Sequence, residues 1–223
     1  MRLVSAELLK LRRRTGLVTA TLGVTVVPAI LTRAVDAGFT ESFGVVAMLT
    51  VVAGILVGAG VGTADATSGV FRDLVVTGRS RLDLFMARVP AGLGLVLLAA
   101  AAGFALVAEG DRLVECAAWL ALVGATSYAL SLGVATLVGS PGQAIAMLLA
   151  LWLVVTPFVQ NVESLAWLQD GLLIMGLDRV MPSELHQGEP AYTMSLAGGI
   201  AVILAWTVVP LLAGAWRTLT RDA

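Results

Sequence analysis

Stretches of this chain carry no charge at all over residues 15–32, 42–64, 89–108, 116–162 and 190–216. A bilayer's hydrocarbon core is about 30 Å thick, so a helix rising about 1.5 Å per residue needs roughly 17 to 25 apolar residues to cross it. Each of these runs is that long. The run 116–162 is too long for one helix, and Gly139, Ser140, Pro141 and Gly142 interrupt it with a turn-forming cluster. The pattern predicts six spans, at about 16–34, 43–64, 89–108, 116–138, 143–160 and 193–216. Composition agrees, with 58% hydrophobic and 13% charged residues and a mean hydropathy of +0.94, where soluble domains carry about a quarter charged residues. The expected fold is a single all-α, polytopic membrane domain covering residues 1–223. The first run follows a basic segment as a signal peptide does, but it is long enough to span and no small-x-small cleavage site follows, so it reads as a retained helix. Cys116 stands alone, which leaves neither a disulfide framework nor a zinc-like Cys/His cluster.

Orientation follows from the cations. With the N-terminus inside, the inner segments hold Arg2, Lys10, Arg12, Arg13, Arg14, Arg72, Arg79, Arg81, Arg88, Arg217 and Arg221, and the outer ones only Arg33, Arg112 and Arg179. That bias predicts cytoplasmic termini. Most acidic residues fall on the other side, among them Asp36, Glu41, Glu109, Glu163, Asp170 and Asp178. A pI near 5.8 and arginines that topology already explains give no support to nucleic-acid binding.

The stretch 60–88, GVGTADATSGVFRDLVVTGRSRLDLFMAR, carries seven charged residues between two long uncharged runs. An Asp or Arg at the bilayer centre costs about 2.5 to 3.5 kcal/mol, so the stretch cannot cross and is expected as a cytoplasmic loop over 65–88. Within it Ser68 can cap a short helix in which Phe71, Leu74 and Val75 share a face apart from Arg72, Asp73 and Thr77, and Gly78 can end it. Such a face has no core of its own. It requires the membrane surface or a partner protein.

Catalysis finds little footing. A P-loop needs a lysine after a glycine-rich turn, and the only lysine, Lys10, follows Leu9. The one histidine, His186, lies in an outer segment and is expected to be an exposed surface residue. No ionisable relay occupies the middle of a span, which disfavours an ion-coupled transporter. Gly54, Gly58 and Gly62 recur at four-residue spacing, a small-residue face suited either to packing within one bundle or to a subunit interface. Thr126, Ser127, Tyr128 and Ser131 in the fourth span, with Thr156, Gln160 and Asn161 in the fifth, are candidates to line a path or an interface. Hydroxyls in spans also often bond only their own backbone. Residues 160–189 are too apolar for a solvated loop and too acidic for a full span, which predicts a re-entrant or interfacial helix pair with Trp167 at headgroup level.

The segment AELLKLRRR before the first span, the six spans, and the run from Asp65 through Ser68, Gly69 and Phe71 to Gly78, Arg79, Ser80 and Arg81 together resemble the permease subunit of a type-2 ATP-binding cassette (ABC) exporter. The resemblance covers the chain by topology. Asp65 stands where many relatives carry a glutamate. It implies a cytoplasmic elbow helix at the N-terminus, and a coupling helix in the 65–88 loop that docks on a separate ATPase subunit. That subunit, not this chain, would bind ATP and magnesium. Phe71 would anchor the contact with Ser68, Leu74 and Val75, while Asp65, Arg72, Asp73, Arg79 and Arg81 would flank and orient it. It further implies export across the cell membrane by a dimer with a second, identical or paralogous permease. An ion-coupled secondary transporter and a non-transporting anchoring or assembly subunit are the alternative classes.

Overall fold

The computed structural model describes residues 2–64, 80–186 and 194–220. Helix α1 (Arg2–Arg13) is followed by α2 (Thr15–Ala34), α3 (Phe39–Gly62), α4 (Arg81–Val107), α5 (Leu113–Val138) and α6 (Pro141–Asn161). Two short helices, α7 (Ala166–Gln169) and α8 (Leu173–Arg179), precede the last long helix, α9 (Leu196–Thr220). No strand occurs among the described residues. Among the described residues six helices, α2 to α6 and α9, are long and apolar enough to cross a membrane. The architecture is that of an all-α, multi-pass membrane protein.

The bundle is built around α5 and α3, which are the most buried of the six, whereas α2 and α9 turn most of their apolar surface outward. Lipid is as apolar as leucine, so helix association here depends on close packing rather than on hydrophobic burial. The turn between α5 and α6 is the predicted one. Gly139 adopts a left-handed φ of 77°, and its N–H closes the helix on the carbonyl of Ala135 at 2.8 Å. Pro141 then opens α6, where its missing N–H costs nothing.

One boundary differs from the sequence pattern in a way that matters. The third span was expected from residue 89, with 65–88 as loop, yet α4 begins at Arg81. Ser80 caps it by accepting from the Asp83 N–H at 3.0 Å, and Asp83 itself suits the positive end of the helix dipole. Leu84, Phe85 and Ala87 are buried, giving this charged turn an apolar face. The 27 residues of α4 make a rod of roughly 40 Å at about 1.5 Å per residue, longer than the hydrocarbon core. Its first turns can therefore stand clear of the lipid, so the cost of burying charge does not forbid the helix. The other boundaries shift by a few residues because polar residues such as Glu41 and Glu115 are accepted in first turns.

Candidate functional site

At the end where the N-terminus lies, α1 is clamped to the bundle beside both flanks of the 65–79 segment. Leu11 is buried among Val57 and Val61 of α3 and Phe85, Ala91 and Leu95 of α4. Arg14 donates from Nη1 to the carbonyl of Gly60 at 3.1 Å. Glu7 is buried and takes an ion pair from Lys10 at 2.6 Å, while Leu8 and Leu9 point away from the bundle and are exposed. Helix α1 thus has one face on the protein and an apolar edge free for the membrane surface. Of the residues expected to meet an ATPase, Asp65, Ser68, Phe71, Arg72, Asp73, Leu74, Val75 and Arg79 lie outside the described residues. Arg81 is the first residue of α4.

Just beyond this clamp, Arg88 is buried in α4 and its carbonyl accepts a hydrogen bond from the Tyr128 hydroxyl of α5 at 2.7 Å. Both Arg88 and Glu7 lie close enough to Tyr128 to act on it electrostatically. The ring of Tyr128 fits there because Gly92 has no side chain; a Cβ on Gly92 would collide with the phenol. Tyr128→Phe is expected to cost about 1 kcal/mol, the usual net worth of a neutral hydrogen bond. The check is a lower thermal midpoint in detergent with an unchanged elution profile.

The glycine face predicted on α3 packs inside the chain. Gly54 lies against Ser127 and Tyr128, Gly58 against Ser131 and Leu132, and Gly62 against Ala135, all on α5. Ser131 crosses this seam by donating to the carbonyl of Ile55 at 2.7 Å. The remaining hydroxyls stay local: Thr126 bonds the carbonyl of Leu122, Ser127 that of Val123, and Thr156 that of Leu151. Asn161 bonds the Pro157 carbonyl, and the Gln160 carbonyl accepts from Gln169. These residues hold helices together or satisfy their own turns.

A concavity with a distinct wall lies elsewhere, toward the far end, between α3, α5, α6 and α8. It has a volume of about 450 Å³ and is lined by Met48, Val52, Trp119, Trp152, Leu153 and Asp178, among others. None of the glycines and polar residues singled out in the spans belongs to its wall. Its shape depends on α6, where residues Leu151–Val155 form a π turn ahead of Pro157. A proline in a helix lacks an N–H and crowds the carbonyl four residues back, and a widened turn relieves both problems. Residues 160–186 supply the fourth wall. They include the pair of short helices α7 and α8, as the sequence suggests, with Trp167 76% exposed. Leu172, Leu173, Met175 and Leu177 are apolar because they pack inward. Trp119 donates to the Leu177 carbonyl and Trp206 to the Gly171 carbonyl, each at 2.9 Å, and these bonds tie the segment to α5 and α9.

Burial pushes the Asp178 carboxyl above its ordinary range, with His186 pulling it back. His186 is half-buried rather than fully exposed as the sequence alone suggests. A carboxyl whose pKa is higher in the folded state contributes stability in acid and loses it as pH rises through the folded value. Asp178→Asn removes that titration. The wild type is therefore expected to lose thermal midpoint relative to the variant as pH climbs above the ordinary aspartate value of about 3.9. Parallel curves from pH 4 to 8 would show that the carboxyl is not perturbed.

Compared with models of known protein families and with curated proteins, the chain matches none. Asp178 and the two tryptophans of the cavity were not singled out from the sequence. Signals existed, in an aspartate inside an apolar outer segment and a proline near the end of a span, but only the π turn and the fold of residues 160–186 bring them together.

Proposed function

We propose that the chain is the membrane-spanning permease subunit of an ABC exporter, driven by a separate ATPase that docks on the 65–88 segment from the cytoplasm. What supports the reading most is mechanical. The 65–79 segment is bounded by the end of α3 and the Ser80-capped start of α4; α1 packs against both helices through Leu11, and Arg14, at the junction of α1 and α2, bonds the end of α3. A push on that segment is delivered to three helices at once, as rigid-body alternation requires. The Arg88–Tyr128 contact carries it onward to the central helix α5. The cations gathered at this end fit a cytoplasmic face in the cell membrane.

The test is capture from native membranes. Detergent-solubilised wild type is expected to bring down a soluble protein with a P-loop, and Phe71→Asp, equally abundant and equally monodisperse, is expected to lose it. Wild type that retains other membrane partners yet recovers no P-loop protein would overturn the proposal.

A further inference from the structure

The cavity between α3, α5, α6 and α8 falls in the size range of small-molecule sites, roughly 300–1,000 Å³. Its wall is aliphatic and aromatic apart from one ionisable side chain, Asp178. The tryptophan on α5 is fixed relative to that carboxylate, because Trp119 donates to the carbonyl of Leu177, the residue before it. Arg179, the residue after it, is not part of the wall and turns its Nε to the Met194 carbonyl at 3.2 Å. His186 acts on the carboxylate from outside the wall. Met48 and Leu153 belong to the wall and are each 57% exposed, so the cavity opens sideways between α3 and α6.

We propose that this cavity binds amphiphilic organic cations, with the positive group against Asp178 and the tryptophans and the apolar body along the aliphatic wall. A carboxylate in apolar surroundings loses hydration, and an opposite charge that is itself weakly hydrated offsets that loss. Tryptophan faces attract cations by about 0.5 to 2 kcal/mol. A neutral acyl chain fills the volume but leaves the carboxylate unmatched, and an anion is repelled by it. As the cargo class of the exporter, this assignment rests on the proposed function; as a binding site it rests on the cavity alone.

The experiment uses the purified chain in phosphatidylcholine nanodiscs, without ATP or any partner, and equilibrium dialysis of radiolabelled tetraphenylphosphonium. Binding is expected to saturate at one site above the uptake of empty nanodiscs. Asp178→Asn and Trp152→Leu are each expected to weaken it about tenfold or more, while Asp170→Asn, outside the wall, leaves it unchanged. Met48→Trp, which narrows the lateral opening from its exposed side, is a further variant expected to weaken it and stands in for Asp178→Asn if that one does not fold. The proposal is overturned if uptake equals that of empty nanodiscs, or if folded Asp178→Asn binds like wild type. It is overturned equally if neutral triphenylphosphine oxide competes as well as the cation, or if Met48→Trp binds unchanged. Because neither ATP nor flux enters the measurement, failure here leaves the ATPase capture result standing, and the reverse holds.

Discussion

Gly133→Leu is expected to leave almost no monodisperse protein after detergent extraction. Gly133 of α5 meets Pro210 of α9 backbone to backbone; a Cβ there would fall onto the Pro210 carbonyl and within 2.8 Å of the proline Cβ. Gly214, one turn on, approaches the Gly133 backbone at 3.1 Å from its own Cβ direction, so neither helix can slide past the other. Overpacking a core costs about 1–3 kcal/mol where side chains can shift. Here the obstacle is main chain, and a whole protein is stable by only about 5–15 kcal/mol. Size-exclusion recovery measures the effect. Gly142→Leu, at a position with open space around it, is the matched control and is expected to elute like wild type. Normal recovery of Gly133→Leu would mean that α9 does not pack on α5 as described.

Gly58→Val should be the next most damaging change. Its Cβ would sit 2.6 Å from the Ser131 Cβ, 2.7 Å from the Tyr128 carbonyl and 2.8 Å from the Leu132 nitrogen. The two central helices would have to separate, which also breaks the Ser131 bond to Ile55. A thermal midpoint lower by on the order of 5–10 °C is expected, from about 1–3 kcal/mol of overpacking in a chain of this size. Gly60→Val is the informative comparison. It meets only the tip of Leu17, a flexible side chain, at 3.2 Å, so its shift should be small. Equal shifts for the two would place the α3 seam elsewhere.

These two glycines show what a sequence can and cannot reveal about such a bundle. Gly54, Gly58 and Gly62 announce a close-packed face by their spacing, because period four keeps them on one side of a helix. Their partner could not be named from spacing, and it proves to be α5 of the same chain. Gly133 gives no such signal, since its reason is a single crossing with a proline far along the chain. Span number and the α5–α6 turn were legible because hydropathy and Gly-Ser-Pro-Gly are local. The start of α4 was misjudged because charge was read as loop, whereas Ser80 and Asp83 make a capped helix that a long rod can hold outside the lipid. The cavity was invisible for the opposite reason. It depends on a π turn and on how residues 160–186 fold back, both products of tertiary packing.

The central claim is that position 71 touches an ATPase from the cytoplasm. With the native Cys116 replaced by alanine, Phe71→Cys carrying a photoactivatable crosslinker can be irradiated in native membranes, and its adduct identified by mass spectrometry. The account predicts a crosslink to a P-loop ATPase, together with protection of Phe71→Cys from a membrane-impermeant maleimide applied to intact cells. Labelling by that maleimide from outside, or adducts with lipid alone, would contradict it.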